Sequence, residues 1–157
     1  MAAPDDICLR GGVATFGAQL RRGELTSRDL TLAFLDRIDR LDPGLRSYAR
    51  VMRDDALADA ECADREIAAG LDRGALHGIP VAIKDLIDIA DAPTLAGMPF
   101  RADHKAARDA TIVARLRRAG AVILGKLSMT EGATILHHPH VPAPVNPWRA
   151  GHSPGFS

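Results

Sequence analysis

Residues 78–85 read Gly-Ile-Pro-Val-Ala-Ile-Lys-Asp, and this stretch decides the fold. Its apolar centre, residues 81–83, has the length and composition of a short buried strand. A second apolar run follows at residues 121–124, and apolar residues at helical spacing lie between the two, over residues 110–119. A strand, a helix and a strand in this order predict a βαβ unit, in which the two strands are parallel.

The residues before about position 75 are predicted to be helical. Ser27 is the expected N-cap of a helix that ends at Asp-Pro-Gly, residues 42–44. A shorter helix over residues 13–22 precedes it, and an Ala-rich helix over residues 54–71 follows it. The predicted fold class is therefore α/β, with N-terminal helices packed on a partial, mainly parallel sheet.

Composition excludes several classes of protein. The chain has 157 residues, and its 20 Lys and Arg balance its 20 Asp and Glu, which argues against a broad basic face for nucleic acid or for an anionic membrane. No apolar run approaches the roughly 20 residues of a membrane span, and residues 1–6 do not read as a signal peptide. Its two cysteines are too few for a disulfide framework. A cytoplasmic globular protein of one domain is expected.

Two lysines follow the predicted strands, Lys84 directly after the first and Lys126 shortly after the second. Ligands of parallel sheets bind beyond the carboxyl ends of the strands. A lysine that loses hydration there can be neutral and serve as a general base, as in serine–lysine hydrolases. The residue types alone leave a simpler interpretation open: an ordinary ion pair, for Lys84 with Asp85 or Asp88, or a side chain that extends to water.

A histidine-rich segment is the competing candidate site. Five residues could in principle ligate zinc or nickel: His137, His138, His140, His152 and Glu131. Their spacing fits no known metal motif and prolines separate them, so a solvated loop is favoured and no metal is expected. The glycines and serines of residues 151–157 could donate backbone N–H groups to an anion.

Five stretches, in the correct order, match motifs of one known family. Residues 78–85 carry its lysine motif, and residues 110–127 continue through its helix and second strand. Thr-Glu-Gly-Ala at residues 130–133 comes next, and Pro-Val-Asn-Pro-Trp at residues 144–148 is similar to the segment before its glycine- and serine-rich signature. Residues 25–38 are similar to its N-terminal helices. Over nearly its whole length, the chain resembles the amidase signature family.

The resemblance implies hydrolysis of small-molecule amides by a serine–cis-serine–lysine triad, without a cofactor. It assigns the lysine base to Lys84 and makes Lys126 a structural neighbour. Gly155-Phe156-Ser157 aligns with the opening of the Gly-x-Ser-Ser signature, which assigns the bridging serine to Ser157. The nucleophilic serine is expected further along the family's pattern, beyond Ser157.

The expected organisation is the N-terminal portion of a single amidase domain over residues 1–157. A helical layer reaches to about residue 75, and residues 76–157 hold the βαβ unit and the start of the glycine- and serine-rich loop. With the base and no nucleophile, such a chain is expected to be inactive alone. Two alternatives stay open: a non-catalytic fragment that a separate C-terminal chain complements, and the A-type subunit of a tRNA-dependent amidotransferase. A homo-oligomer is also left open.

Overall fold

The computed structural model describes residues 6–134, 136–149 and 151–154. Within these residues there are four helices: α1 (Val13–Arg21), α2 (Ser27–Leu45), α3 (Arg53–Ala68) and α4 (Thr111–Arg118). The strands of the same residues are β1 (Tyr48–Val51), β2 (Pro80–Lys84) and β3 (Val122–Leu127). Short 3₁₀ helices cover Ile7–Leu9, Pro99–Arg101 and Glu131–Ala133.

Strands β2 and β3 are neighbours in a sheet of order β1-β3-β2. The Val122 N–H donates to the Ile79 carbonyl at 2.9 Å, and the Asp85 N–H donates to the Leu127 carbonyl at 3.2 Å. Both chains therefore advance in the same direction, which confirms the predicted parallel pair. The carboxyl ends of β2 and β3 consequently meet at one edge of the sheet.

Strand β1 was not predicted and makes the sheet mixed. It pairs antiparallel with β3, with Arg50 opposite Lys126 and Val51 opposite Gly125. A Cβ atom at position 125 would lie 2.1 Å from the Arg50 carbonyl oxygen, so only glycine lets the two backbones approach this closely. The strand has only four residues, follows a helix directly and shows no simple alternation of buried and exposed residues. It could not be predicted because alternation is the sequence signal of a half-buried strand.

Helix α2 differs from its prediction at both ends. At the start, the Thr26 hydroxyl accepts the Asp29 N–H at 3.0 Å, whereas the Ser27 hydroxyl donates to the Gly78 carbonyl at 2.8 Å. At the other end, the helix continues through Pro43 to Leu45. A proline in the last turn removes only one N–H donor, so the helix can include Pro43. The prediction that residues 42–44 end the helix is wrong.

The described residues form two compact units. The first takes its residues from Met1–Asp39, Met52–Val81 and Arg115–Leu124, and the second from Arg40–Val51, Ala82–Ala114 and Gly125–Ser157. In the first unit, Phe16, Leu20, Leu30 and Ile79 form a buried apolar cluster. In the second, buried side chains include Ile83, Ile89 and Met129, together with the charged residues Asp85 and Lys126. The second unit therefore contains both lysines that the sequence analysis selected.

Candidate active site

Lys84 is the last residue of β2 and is half-buried. Its carbonyl accepts the Ile87 N–H at 3.0 Å, so the chain turns immediately after the strand. In the part of the chain that the structure describes, the Lys84 amine has neither a hydrogen bond nor an ion pair. A lysine amine without a partner is free to exchange a proton with a group that is brought next to it.

Asp85 follows Lys84 but is committed elsewhere. Its carboxylate is buried and lies 3.1 Å from the Lys126 ammonium. Burial raises the pKa of Asp85, and the hydrogen bond from Lys126 together with the backbone N–H groups of Leu95 and Ala96 opposes that rise. The ion pair between Lys84 and Asp85, which the residue types left open, is not formed because Asp85 pairs with Lys126 instead.

Lys126 is fully buried, and polar atoms surround its ammonium group. Besides Asp85, the Nζ atom donates to the Thr94 hydroxyl at 2.9 Å and to the Pro93 carbonyl at 3.3 Å. Three acceptors match the three protons of a charged lysine. The Lys126 side chain therefore ties β3 to Asp85, Pro93 and Thr94, and each of its acceptors is already used for this contact.

Sequence reasoning did not identify Thr94 and Pro93, or the link between Asp85 and Lys126. No local signal marked that link, because Asp85 lies just beyond β2 and 41 residues before Lys126 in the chain. The segment that supplies Thr94 has no regular pattern, so its contact with Lys126 was not predictable.

The loop after residue 138 is organised by Asn146. Its side-chain oxygen accepts the N–H groups of Trp148 at 2.9 Å and of Arg149 at 3.2 Å, which is an Asx turn. The Val145 N–H donates to the Leu45 carbonyl at 2.8 Å. Ser157, the predicted bridging serine, lies outside the described residues, as do Gly155 and Phe156.

Two histidines of this loop, His138 and His140, contact each other. His138 accepts the His140 N–H through Nδ1 at 3.1 Å, and the two rings are 5.4 Å apart. Within the described residues, no group of three or more His, Cys, Asp or Glu side chains is arranged to hold a metal ion. No helix in that same part of the chain is long and apolar enough to cross a membrane.

Comparison with known proteins shows what the chain is similar to. A sequence model of the family described as Amidase matches residues 29–157. "Putative amidase AmiD" of Mycobacterium tuberculosis is 56% identical over 129 residues, which are 82% of this chain and 27% of that protein. The A-type subunit of the glutamyl-tRNA(Gln) amidotransferase from the same species is 37% identical over 153 residues, 95% of this chain and 31% of that protein.

Solved structures give the same picture. The native peptide amidase from Stenotrophomonas maltophilia superposes with a TM-score of 0.85 and 38% identity, over 94% of this chain and 32% of that one. The chain thus spans about a third or less of the length of the relatives it matches.

Proposed function

This chain belongs to the amidase family, and from that membership we propose that it carries the general base of an amide-hydrolysing site at Lys84. The observation that supports this assignment most directly is the half-buried amine at the end of β2, which has no partner among the described residues. A general base needs a lone pair that no other group occupies. The second lysine at this edge, Lys126, is fully buried and holds three acceptors, so the two lysines are not interchangeable.

The proposed reaction is acyl transfer to a serine, followed by hydrolysis. Lys84 accepts a proton from the Ser157 hydroxyl, which in turn accepts one from the nucleophilic serine as that oxygen bonds to the amide carbonyl carbon. The C–N bond then breaks, and the leaving amine takes the proton back along the same path. Water then loses a proton along the same path as its oxygen bonds to the ester carbonyl carbon. The ester C–O bond breaks and the serine oxygen takes the proton, which releases the carboxylic acid and restores the free serine.

The assignment of the nucleophile follows the family's pattern, in which that serine comes after the position of Ser157. We therefore propose that residues 1–157 alone do not hydrolyse amides. The two free thiols, Cys8 and Cys62, support a reducing, cytoplasmic location for this chemistry.

A stand-alone amidase is favoured over a component of an amidotransferase. Over the matched residues, the chain is 56% identical to the putative amidase and 37% identical to the amidotransferase protein. We therefore propose small-molecule amides as substrates and keep the role in an amidotransferase complex as the second candidate.

The test is hydrolysis of a panel of aliphatic and aromatic amides by the protein expressed at the full length of its gene. Lys84→Ala is expected to lower kcat/KM by roughly 10²–10⁴-fold, the usual contribution of a general base. Lys105, which is exposed, supplies the control, and Lys105→Ala is expected to retain the starting activity. Lys126→Ala is expected to leave measurable activity. A Lys84→Ala variant as active as Lys105→Ala would refute the assignment.

A further inference from the structure

Lys84 is placed next to an acid that it does not contact. The two residues are adjacent in sequence, so Asp85 is a potential counter-ion of Lys84. In the structure, the Asp85 carboxylate is 3.1 Å from the Lys126 ammonium instead. The freedom of the Lys84 amine therefore depends on where Asp85 is held.

The contacts that hold Asp85 come from buried residues. Lys126 lies in β3, is fully buried, and is fixed by Thr94 and the Pro93 carbonyl as well as by Asp85. The Asp85 backbone takes part too, because its N–H donates to the Leu127 carbonyl at 3.2 Å and its carbonyl accepts the Ala96 N–H at 3.2 Å. Side chain and backbone of Asp85 are thus both tied to groups other than Lys84.

We propose that Lys126 is a positioning residue that keeps the Lys84 amine free by retaining the Asp85 carboxylate. This inference rests on the proposed role of Lys84 as a base. Lys126 then has a role beyond packing, because its charge determines which cation the Asp85 carboxylate contacts.

Removal of Lys126 leaves a buried charge unpaired. Without the Lys126 ammonium, the Asp85 carboxylate loses its cation in a site with little water, which is strongly unfavourable. The carboxylate then gains a new partner by turning towards the long, flexible side chain of Lys84, its neighbour in sequence. A carboxylate within about 4–6 Å favours the charged form of an amine, and a charged amine accepts no proton.

Acetylation measures this effect directly, because acetic anhydride reacts with the neutral form of an amine. The chain contains three lysines, one half-buried (Lys84), one exposed (Lys105) and one fully buried (Lys126). The rate of acetylation at each is read by mass spectrometry of peptides, from neutral to strongly alkaline pH. Lys105 serves as the internal reference in every variant.

In Lys126→Met, the pH of half-maximal acetylation of Lys84 relative to Lys105 is expected to rise by about one unit or more, the usual effect of a nearby opposite charge. In the double variant Lys126→Met/Asp85→Asn, the value is expected to return to that of the original chain, since the carboxylate is gone. If Lys126 had only a structural role, Lys126→Met would lower the stability but would not shift the acetylation profile of Lys84, and Asp85→Asn would have no shift to reverse.

Lys126→Gln provides a second variant if Lys126→Met does not fold. Glutamine keeps hydrogen-bond donors for Thr94 and Pro93 but removes the charge, so the same rise is expected. A folded single variant with an unchanged Lys84 profile, or a double variant that retains the shift, would overturn the proposal. Failure of both single variants to fold would assign Lys126 a purely structural role and would overturn it as well.

The labelling experiment and the activity test fail independently. An active Lys84→Ala variant together with a labelling shift would reject the proposed base and retain the coupling between Lys126 and Lys84. An inactive Lys84→Ala variant without a labelling shift would retain the base and reject the coupling.

Discussion

The carboxyl ends of β2 and β3 carry the same residue type in two different environments. At the end of β2, Lys84 is half-buried and its amine has no partner in the described part of the chain. Near the end of β3, Lys126 is fully buried and contacts three oxygen atoms, those of Asp85, Thr94 and Pro93. Two lysines that follow similar apolar runs therefore have opposite properties.

This difference shows that the number of acceptors, more than burial alone, determines what a lysine can do. Burial without partners disfavours the charged amine, whereas burial among acceptors retains it. Lys126 is fully enclosed among three acceptors, and Lys84 is less buried but has no acceptor within the described residues. The comparison can be tested by removing each charge and by disturbing the segment that covers Lys126.

The largest effect is expected at Lys126. Lys126→Met leaves the Asp85 carboxylate buried without a cation, and breaking such a pair costs about 3–5 kcal/mol in the free energy of unfolding. Adding Asp85→Asn is expected to recover most of that loss, because both charges are then absent. Urea unfolding of the two single variants and the double variant measures the cycle. Additive losses in the double variant would contradict the pairing.

An intermediate effect is expected at Gly97, in the segment that supplies Thr94. Gly97 has φ +71°, and a Cβ atom there would lie 2.7 Å from the Thr130 carbonyl oxygen. Gly97→Ala is expected to lower the free energy of unfolding by about 2–3 kcal/mol, from backbone strain and from this clash.

Gly132 is the matched control for Gly97. It also has positive φ, +55°, but a Cβ atom there would meet no atom within 4 Å. Gly132→Ala is therefore expected to cost only about 1 kcal/mol, the strain of the left-handed backbone. Urea unfolding of both glycine variants gives the two losses side by side. Equal losses would show that the segment moves away from Thr130 at little cost.

The smallest effect on stability is expected at Lys84. Lys84→Met keeps the apolar stem and removes an amine that has no partner among the described residues, so the free energy of unfolding should change by no more than about 0.5 kcal/mol. Urea unfolding beside Lys126→Met gives the comparison directly. A loss as large as that of Lys126→Met would mean that the Lys84 amine has a partner in solution.

The region around β2, α4 and β3 could be predicted because its pattern is local. Apolar runs separated by a helical spacing specify a βαβ unit, and the helix found at Thr111–Arg118 lies within the predicted residues 110–119. The boundaries of α2 were less accurate. Its start depends on the Asp64 carboxylate, which accepts the N–H groups of Ser27 at 2.6 Å and Arg28 at 3.0 Å and is 37 residues from Ser27 in sequence.

Residue types and their order also predicted the family and selected the two lysines as candidates, because both depend on short contiguous motifs such as residues 78–85. The partners of the lysines are a different kind of information. Asp85 and Thr94 lie 41 and 32 residues before Lys126 in the chain, and only folding brings them within 3.1 Å and 2.9 Å of its ammonium. Preferences for helix or strand act over a few residues of sequence. An ion pair between residues far apart in sequence forms only when the sheet brings their side chains together. The tertiary structure alone therefore decides that Asp85 pairs with Lys126, and it leaves the Lys84 amine without a partner among the described residues.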